Sequence, residues 1–275
     1  MHGQPSRTAM FAARVRADHQ EDAPRIFTDP LAPRIVGESV ASTEFDQGQA
    51  EDLVRERRLW IAARSRFADD AVAAAITAGT DQVVILGAGL DTTAYRQSST
   101  HVRFFEVDHP ATQEWKRRRL AHAGITIPAT LTFAPVDFEQ PTLAVTLAQA
   151  GLDRTRRTLF IWLGVAVYLT RRSVRATLSD IASGHAELVC DYFYPLDSDR
   201  GDPTAIQLQN RAKLVARAGE PWRSFFTADE FRTMLQSCGF QQIEDQSITA
   251  LLATYGVRIS RSPDSGPHLI HACTV

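Results

Sequence analysis

The chain has 275 residues, enough for one large α/β domain with a lid. Hydrophobic residues make up 44% and charged residues 23%, proportions that are ordinary for a globular protein and argue against extensive disorder. Thirty basic residues nearly balance 32 acidic ones, so the chain has no overall field that would attract nucleic acid or an anionic membrane. We therefore expect a small-molecule partner, with neither nucleic acid nor membrane.

The three cysteines, Cys190, Cys238 and Cys273, are widely separated and form no C-x-x-C pair. This spacing indicates neither a disulfide framework nor a zinc site, and we expect no metal. The first residues lack the long apolar core of a signal peptide, and no stretch of about 18 apolar residues occurs. We expect a cytoplasmic protein.

The first 80 residues predict a helical cap. A long helical pattern covers roughly 51–78 and stops at Gly79, where a glycine suits a left-handed C-cap. The preceding 50 residues, which include FTDPLAPRIVG, predict a further helical or irregular part of this cap.

From Val83 onward, short apolar runs alternate with amphipathic stretches, the pattern of a parallel sheet covered by helices. Seven strands are predicted, at 83–86, 102–107, 131–136, 158–163, 187–192, 240–247 and 268–275. Helices are predicted near Asp91 and at 110–122, 141–150, 171–183 and 227–238. We expect a single domain over 1–275, made of a cap at 1–80, a cofactor-binding core at 81–194, a lid at 195–226 and the rest of the sheet at 227–275.

The turn after the first predicted strand carries Gly87 and Gly89. In an open parallel sheet, ligands bind beyond the carboxyl ends of the strands, and glycine lets the backbone turn sharply and approach a ligand closely. A P-loop is excluded because no G-x-x-x-x-G-K-[ST] sequence occurs. A dinucleotide fingerprint would have its third glycine at Thr92, which weakens NAD as the ligand without excluding it. S-adenosylmethionine, a nucleoside with an amino-acid tail, remains.

Acidic residues end three consecutive strands or turns, at Asp91, Asp108 and Asp137. Asp108, about 20 residues past the glycines, can accept hydrogen bonds from ribose hydroxyls, a device that NAD folds share. Asp137 can accept one from an adenine amino group. Three acids fit a ligand that is cationic at its sulfonium and amine and carries no phosphate, so the pattern favours S-adenosylmethionine.

These motifs together resemble the leucine carboxyl methyltransferase family of S-adenosylmethionine-dependent enzymes, in particular its bacterial small-molecule branch. The resemblance covers nearly the whole chain, and it includes TAMFAARVRAD, RSRFADD, VVILGAGLDTTAYR, FFEVDHPATQEWKRRRL, VDFEQP, WLGVAVYLT and GEPWRSFF. It implies a class I methyltransferase fold of the Rossmann-like type, with seven strands of which the last is antiparallel, a helical amino-terminal cap and a lid insertion.

The resemblance also implies roles for particular residues. Arg64 resembles the arginine that binds the methionine carboxylate of the cofactor, with Arg16 as a helper from the cap. Gly87 and Gly89 correspond to the cofactor turn and Asp108 to the ribose ligand. Asp137 and Phe138 correspond to the contacts with adenine, and Asp91 joins this cofactor set.

Two positions depart from the patterns of related enzymes. Class I methyltransferases often carry an acid two residues before the first glycine, where this chain has Ile85. The leucine carboxyl methyltransferases proper carry a glutamate where this chain has Leu163, which argues against a phosphatase tail as the substrate.

A carboxylate acceptor is already anionic at pH 7, whereas a phenol with a pKa near 10 would need a general base. No His-Asp pair with an evident base role occurs, so we favour O-methylation of a carboxylate, with a hydroxyl of a polyketide-like or other secondary metabolite as the alternative. Tyr168, Tyr192 and Trp222 are predicted to line the acceptor pocket. Two other classes stay open, an NAD-dependent oxidoreductase and a protein that binds the cofactor without activity.

Overall fold

The computed structural model describes residues 6–37, 49–195, 203–259 and 266–274. Within these residues, seven strands form one sheet in the order β3-β2-β1-β4-β5-β7-β6. The first five strands run parallel, and β7 is antiparallel to both β5 and β6. The strands are β1 Gln82–Leu86, β2 Arg103–Asp108, β3 Leu131–Pro135, β4 Thr158–Trp162, β5 Ala186–Phe193, β6 Gln242–Ser247 and β7 Pro267–Cys273. The predicted fold class is confirmed.

Ten α-helices accompany the sheet within the described residues. They are α1 Arg7–Asp18, α2 Ala32–Val36, α3 Glu51–Thr77, α4 Thr93–Arg96, α5 Pro110–His122, α6 Leu143–Gln149, α7 Arg171–Ile181, α8 Pro203–Arg217, α9 Ala228–Cys238 and α10 Ile248–Thr254. A 3₁₀ turn at Ala166–Tyr168 follows β4. No helix in the described part of the chain is long and apolar enough to cross a membrane.

The sheet is covered on both faces, which explains why its central strands β1 and β4 are buried along their whole length. Alternate residues of β1 enter two different cores, because successive side chains of a strand point to opposite faces. Val83 and Ile85 pack with α3, α10 and the amino-terminal cap, whereas Val84 and Leu86 pack with α6, α7 and α9. The cap is thus part of the main hydrophobic core.

Helix ends follow the local sequence closely. Helix α3 stops just before Gly79, whose φ of +91° is the left-handed conformation predicted for it. Strand β6 begins at Gln242, two residues later than predicted, because Gly239 with a φ of +113° ends α9 and Phe240 is buried behind it. Helix α10 was not predicted; the Ser247 side chain caps its first turn.

The predicted lid is only partly within the described residues, since 196–202 lie outside them, as do 1–5 and 38–48 of the predicted cap and the final residue of the last predicted strand. Its described part contains α8 and a return segment that runs beside the turn after β4. There Arg223 donates its main-chain N–H to the Val167 carbonyl at 2.7 Å, and Ser224 Oγ donates to the Ala166 carbonyl at 2.8 Å. The lid and the end of β4 are therefore fixed to each other.

Candidate active site

A cavity of about 380 Å³ opens beyond the carboxyl ends of β1, β2 and β4. Its walls come from these strand ends, from α1 and α3 of the cap, and from α8 and the segment that follows it. Every cofactor residue expected from the sequence lines it: Arg16, Arg64, Gly87, Gly89, Asp91, Asp108, Asp137 and Phe138. Tyr168 and Trp222 line it as well, whereas Tyr192 does not.

The glycine turn leaves no space for side chains. Gly87 has a φ of +66°, and a Cβ placed there would lie 2.2 Å from Val165 Cγ2. Gly89 has a φ of +43°, and its Cβ would lie 2.9 Å from the Ala9 Cβ of α1. The turn therefore needs glycine both for its backbone conformation and for its close neighbours. Its floor is fixed by the main-chain N–H groups of Gly87 and Ala88, which both donate to the Val107 carbonyl.

Asp108 closes the turn from the end of β2. Its Oδ2 accepts a 2.6 Å hydrogen bond from the Gly89 N–H, and its Oδ1 accepts one of 2.7 Å from the His109 N–H. Burial raises the pKa of Asp108, and these two N–H donors oppose that shift. The carboxylate is thus oriented at the cavity wall, where a ligand hydroxyl could reach it.

Asp91 and Asp137 occupy different surroundings. Asp91 is half-buried and accepts the Thr93 N–H at 2.8 Å; burial opposes its charged form, but nearby cations, of which Arg16 is the strongest, hold its pKa below the usual value. Asp137 is exposed and accepts the Glu139 N–H at 3.0 Å, beside the half-buried Phe138. Asp91 thus belongs to a network of charged residues next to the glycine turn, whereas Asp137 lies at the solvent-exposed opening of the cavity.

Arg16 links the cap to the glycine turn. Its Nη2 donates to the Leu90 carbonyl at 2.7 Å, and its Nε lies 3.4 Å from Oδ2 of Asp29. Asp29 is fully buried and also accepts the Thr92 hydroxyl at 2.7 Å. These contacts make Arg16 a support of the turn. Asp29 was not predicted from the sequence, although its position before Pro30 and the short helix α2 is typical of a capping acid.

Arg64 lies on α3 and reaches the loop after β4. Its Nη1 is 2.5 Å from Oδ2 of Asp191, whose Oδ1 accepts the Gly164 N–H at 2.6 Å. Asp69 and Asp70, which follow Arg64 on the same helix, pair with Arg96 and Arg66 respectively. Asp191 was not predicted from the sequence; its signal is an acid inside the apolar strand β5.

Tyr168 and Trp222 stand where the acceptor residues were expected, on the turn after β4 and in the lid. Burial raises the pKa of the Tyr168 hydroxyl. Tyr192 does not lie where it was predicted, in the acceptor pocket. It is 1% exposed, its hydroxyl donates to Asp245 at 2.7 Å, and its ring stacks on Phe231. The alternation of side chains along β5 turns Tyr192 into the core, away from the cavity.

Further lining residues were not foreseen from the sequence. Phe11 of α1 contributes a ring to the wall, with the guanidinium groups of Arg57 and Arg211 at 5.4 Å and 4.6 Å from its centre. Glu220, on the lid, accepts the Arg7 and Thr8 N–H groups at the start of α1, both at 3.0 Å. These residues come from α1, α3, α8 and the lid, so no local motif unites them.

Comparison with known proteins identifies the family of this chain. The family described as leucine carboxyl methyltransferase matches residues 9–182. A relative from Bacillus subtilis (strain 168), named "Putative S-adenosyl-L-methionine-dependent methyltransferase YktD", is 32% identical over 263 residues, which cover 85% of this chain and 86% of that protein. A protein of the same description from Streptomyces coelicolor, SCO7813, is 33% identical over 184 residues, 65% of each chain.

Solved structures share the fold at low identity. A "putative methyltransferase" from Thermobifida fusca YX superimposes with a TM-score of 0.61 and 16% identity over 100% of this chain and 97% of that one. A DUF574 family protein from Streptomyces avermitilis gives the same TM-score and identity over 96% and 97%. The sheet order, the glycine turn and the family match lead to one conclusion: the chain belongs to the leucine carboxyl methyltransferase family of S-adenosylmethionine-dependent methyltransferases.

Proposed function

We propose that this methyltransferase transfers the methyl group of S-adenosylmethionine to a carboxylate oxygen of a small-molecule acceptor. The cofactor and the reaction class follow from the family. The family match does not specify the acceptor group, so the carboxylate is the part of the function that we propose. The observation that carries it is the composition of the cavity. Its described lining combines an aromatic wall with five arginines, of which Arg57 and Arg211 lie beside the ring of Phe11, and with a single imidazole, that of His109.

The cavity has the features that this cofactor needs. The turn at Gly87 and Gly89 has no room for a Cβ, so main chain alone would face the ligand. We assign Asp108 to the ribose hydroxyls, Asp137 and Phe138 to the adenine, and Arg64 to the carboxylate. Arg16 and Asp91 would support these contacts from beneath the turn.

S-adenosylmethionine supplies an electrophilic methyl group on its sulfonium. The residues of this chain then need to align the acceptor oxygen and exclude water, and alignment of this kind can lower a barrier by about 7–11 kcal/mol. Tyr168, Trp222 and Phe11 line the part of the cavity that we assign to the acceptor. Their aromatic surfaces suit an acceptor with an apolar or aromatic body.

The choice of a carboxylate rests on the titratable groups of this cavity. Among the described lining residues, His109 is the only imidazole, and it follows the ribose ligand Asp108 directly. Three glutamates line the cavity, and two of them are engaged elsewhere: Glu220 accepts main-chain N–H groups at the start of α1, and Glu139 accepts the Ser173 hydroxyl at 3.0 Å. The third, Glu56, lies on α3 one position before Arg57. A carboxylate acceptor is ionised at pH 7 and needs no base, while Arg57 and Arg211 offer cations that attract it.

The proposal is tested with purified protein, methyl-labelled S-adenosylmethionine, and matched acceptors that differ only in a carboxyl or a hydroxyl group. Methyl esters release labelled methanol in mild alkali, and methyl ethers do not. We expect label that is released by alkali, formed from apolar acids. Arg57→Leu should raise the KM for the acid, whereas Arg55→Leu, on the exposed side of the same helix, should leave it unchanged.

Each other outcome selects a different function. Product that is stable to alkali would favour the hydroxyl acceptor of a secondary metabolite. Tight binding of S-adenosylmethionine without turnover of acids or alcohols would favour a binding protein without activity.

A further inference from the structure

The guanidinium group of Arg64 is held on three sides. Its Nη1 lies 2.5 Å from Oδ2 of Asp191. Gly164 faces it with no Cβ, since a Cβ built there would lie 2.9 Å from Nη2 and 3.1 Å from Nη1. The ring of Trp60, one turn earlier on α3, lies 6.0 Å from its Cζ. Arg64 is therefore fixed in one orientation at the cavity wall.

Asp191 connects this arginine to the backbone. Its second oxygen, Oδ1, accepts the Gly164 N–H at 2.6 Å, so one carboxylate joins α3 to the loop after β4. The Asp191 side chain is 2% exposed, and Asp191 is absent from the described lining of the cavity, which Arg64 reaches. Asp191 thus contacts Arg64 on the side that faces away from the cavity.

We propose that Asp191 is a positioning residue, which orients Arg64 toward the carboxylate of the amino-acid part of S-adenosylmethionine. This proposal rests on the assignment of Arg64 made above. A guanidinium offers five N–H groups in a planar fork, so one edge can bind Asp191 while other N–H groups remain for a ligand. A mobile arginine side chain loses conformational entropy when it binds a ligand, because binding restricts it to one rotamer. Asp191 already restricts the Arg64 side chain, so this entropy cost is not incurred on binding.

The test compares two ligands that differ only where Arg64 acts. S-adenosylhomocysteine carries the amino-acid carboxylate, and 5′-methylthioadenosine keeps the adenosine and sulfur but lacks it. We expect Arg64→Ala and Asp191→Asn each to raise the Kd of S-adenosylhomocysteine by about tenfold or more and to change that of 5′-methylthioadenosine less than about twofold, as measured by calorimetry. The double variant should be no weaker than Arg64→Ala alone, because the two residues act as a unit.

Asp22→Asn is the matched control. Asp22 also pairs with an arginine of α3, since Arg58 Nη2 lies 2.8 Å from its Oδ1, and neither residue lines the cavity. This variant should leave the ratio of the two Kd values unchanged. If Asp191→Asn does not fold, Arg64→Lys is measured instead. A single ammonium group cannot bind Asp191 and a ligand carboxylate together as the planar guanidinium can. We therefore expect Arg64→Lys to raise the Kd of S-adenosylhomocysteine as much as Asp191→Asn would.

The outcomes separate this inference from the proposed function. If Arg64→Ala leaves the ratio of the two Kd values unchanged, the role of Arg64 is wrong. If Arg64→Ala lowers the preference for S-adenosylhomocysteine and Asp191→Asn weakens both ligands equally or neither, only the role of Asp191 is overturned.

Discussion

The Gly89 N–H donates a 2.6 Å hydrogen bond to Oδ2 of Asp108, so the turn after β1 and the acid at the end of β2 hold each other in place. One carboxylate therefore has two tasks in the site proposed here. It sets the shape of the turn, and it presents oxygens toward the position assigned to the ribose.

Replacement of Asp108 tests its assignment to the ribose. We expect Asp108→Ala to weaken S-adenosylhomocysteine by about 1.5–3 kcal/mol, the range for a lost hydrogen bond to a charged group. The ligand 5′-methylthioadenosine should weaken equally, because it retains the ribose. Calorimetric titration gives both values, with Asp153→Ala, an exposed turn acid outside the cavity, as the control. An unchanged Kd would remove Asp108 from the ribose site.

Two effects make a side chain at Gly87 unfavourable, the left-handed backbone conformation and the lack of space beside Val165, and a comparison with Gly124 measures them separately. Gly124 has nearly the same φ, +63° against +66°, but a Cβ there would meet no atom within 4 Å. Gly124→Ala should cost about 1–2 kcal/mol of unfolding free energy, for the left-handed conformation alone. Gly87→Ala should cost more, because its Cβ would overlap Val165, and it should weaken cofactor binding. Denaturant unfolding of both variants measures the difference, and equal losses would show that Val165 yields without cost.

Glu220 joins the lid to the start of α1 through two N–H groups. Glu220→Ala removes an anion at a helix N-terminus and leaves those donors without it, a loss of about 0.5–2 kcal/mol for helix caps. We expect faster hydrogen exchange over α1 and a higher Kd for the cofactor. Thr227→Ala, which removes the cap of α9 instead, should speed exchange in α9 only. Unaltered exchange in α1 would contradict the link.

The antiparallel pair of strands β5 and β7 should respond to pH through Glu187 and His271, whose Oε1 and Nε2 atoms are 2.8 Å apart. The hydrogen bond to Glu187 raises the pKa of His271, so the folded state favours the charged imidazole. This contribution is fully present below the ordinary pKa of about 6.5 and is lost as the pH rises through the folded value. Glu187→Gln should therefore reduce stability more at pH 5 than at pH 8. An equal loss at both pH values would exclude this linkage.

Much of the fold could be predicted from the sequence because most of its elements, though not α10, have a local signal. Alternation of apolar runs and amphipathic stretches gave the strands and the main helices, and Gly79 ended α3 as its type predicts. The glycines and acids at strand ends were found for a similar reason. The topology of a parallel sheet brings consecutive strand ends to one edge, so residues local in sequence become neighbours in the site.

Other parts of the site could not be found in this way, because they depend on contacts between distant segments. Asp191 is 127 positions from Arg64, and Glu220 is 212 positions from Thr8. Tyr192, in contrast, was assigned to the acceptor pocket from the sequence but does not line the cavity. Its position near the end of a strand was correct, but a shift of one residue along β5 reverses the face of a side chain, so Asp191 meets Arg64 and Tyr192 enters the core.

The contact between Ala9 and Gly89 limits how this enzyme can be redesigned. A Cβ on Gly89 would lie 2.9 Å from the Ala9 Cβ, so a helix from the beginning of the chain and a turn 80 positions later share one surface. A chimaera that takes only its amino-terminal segment from a relative keeps this packing only where the side chain at position 9 is as small as alanine. Residues 9 and 89 therefore need to be exchanged together, and a larger side chain at either one should abolish the graft.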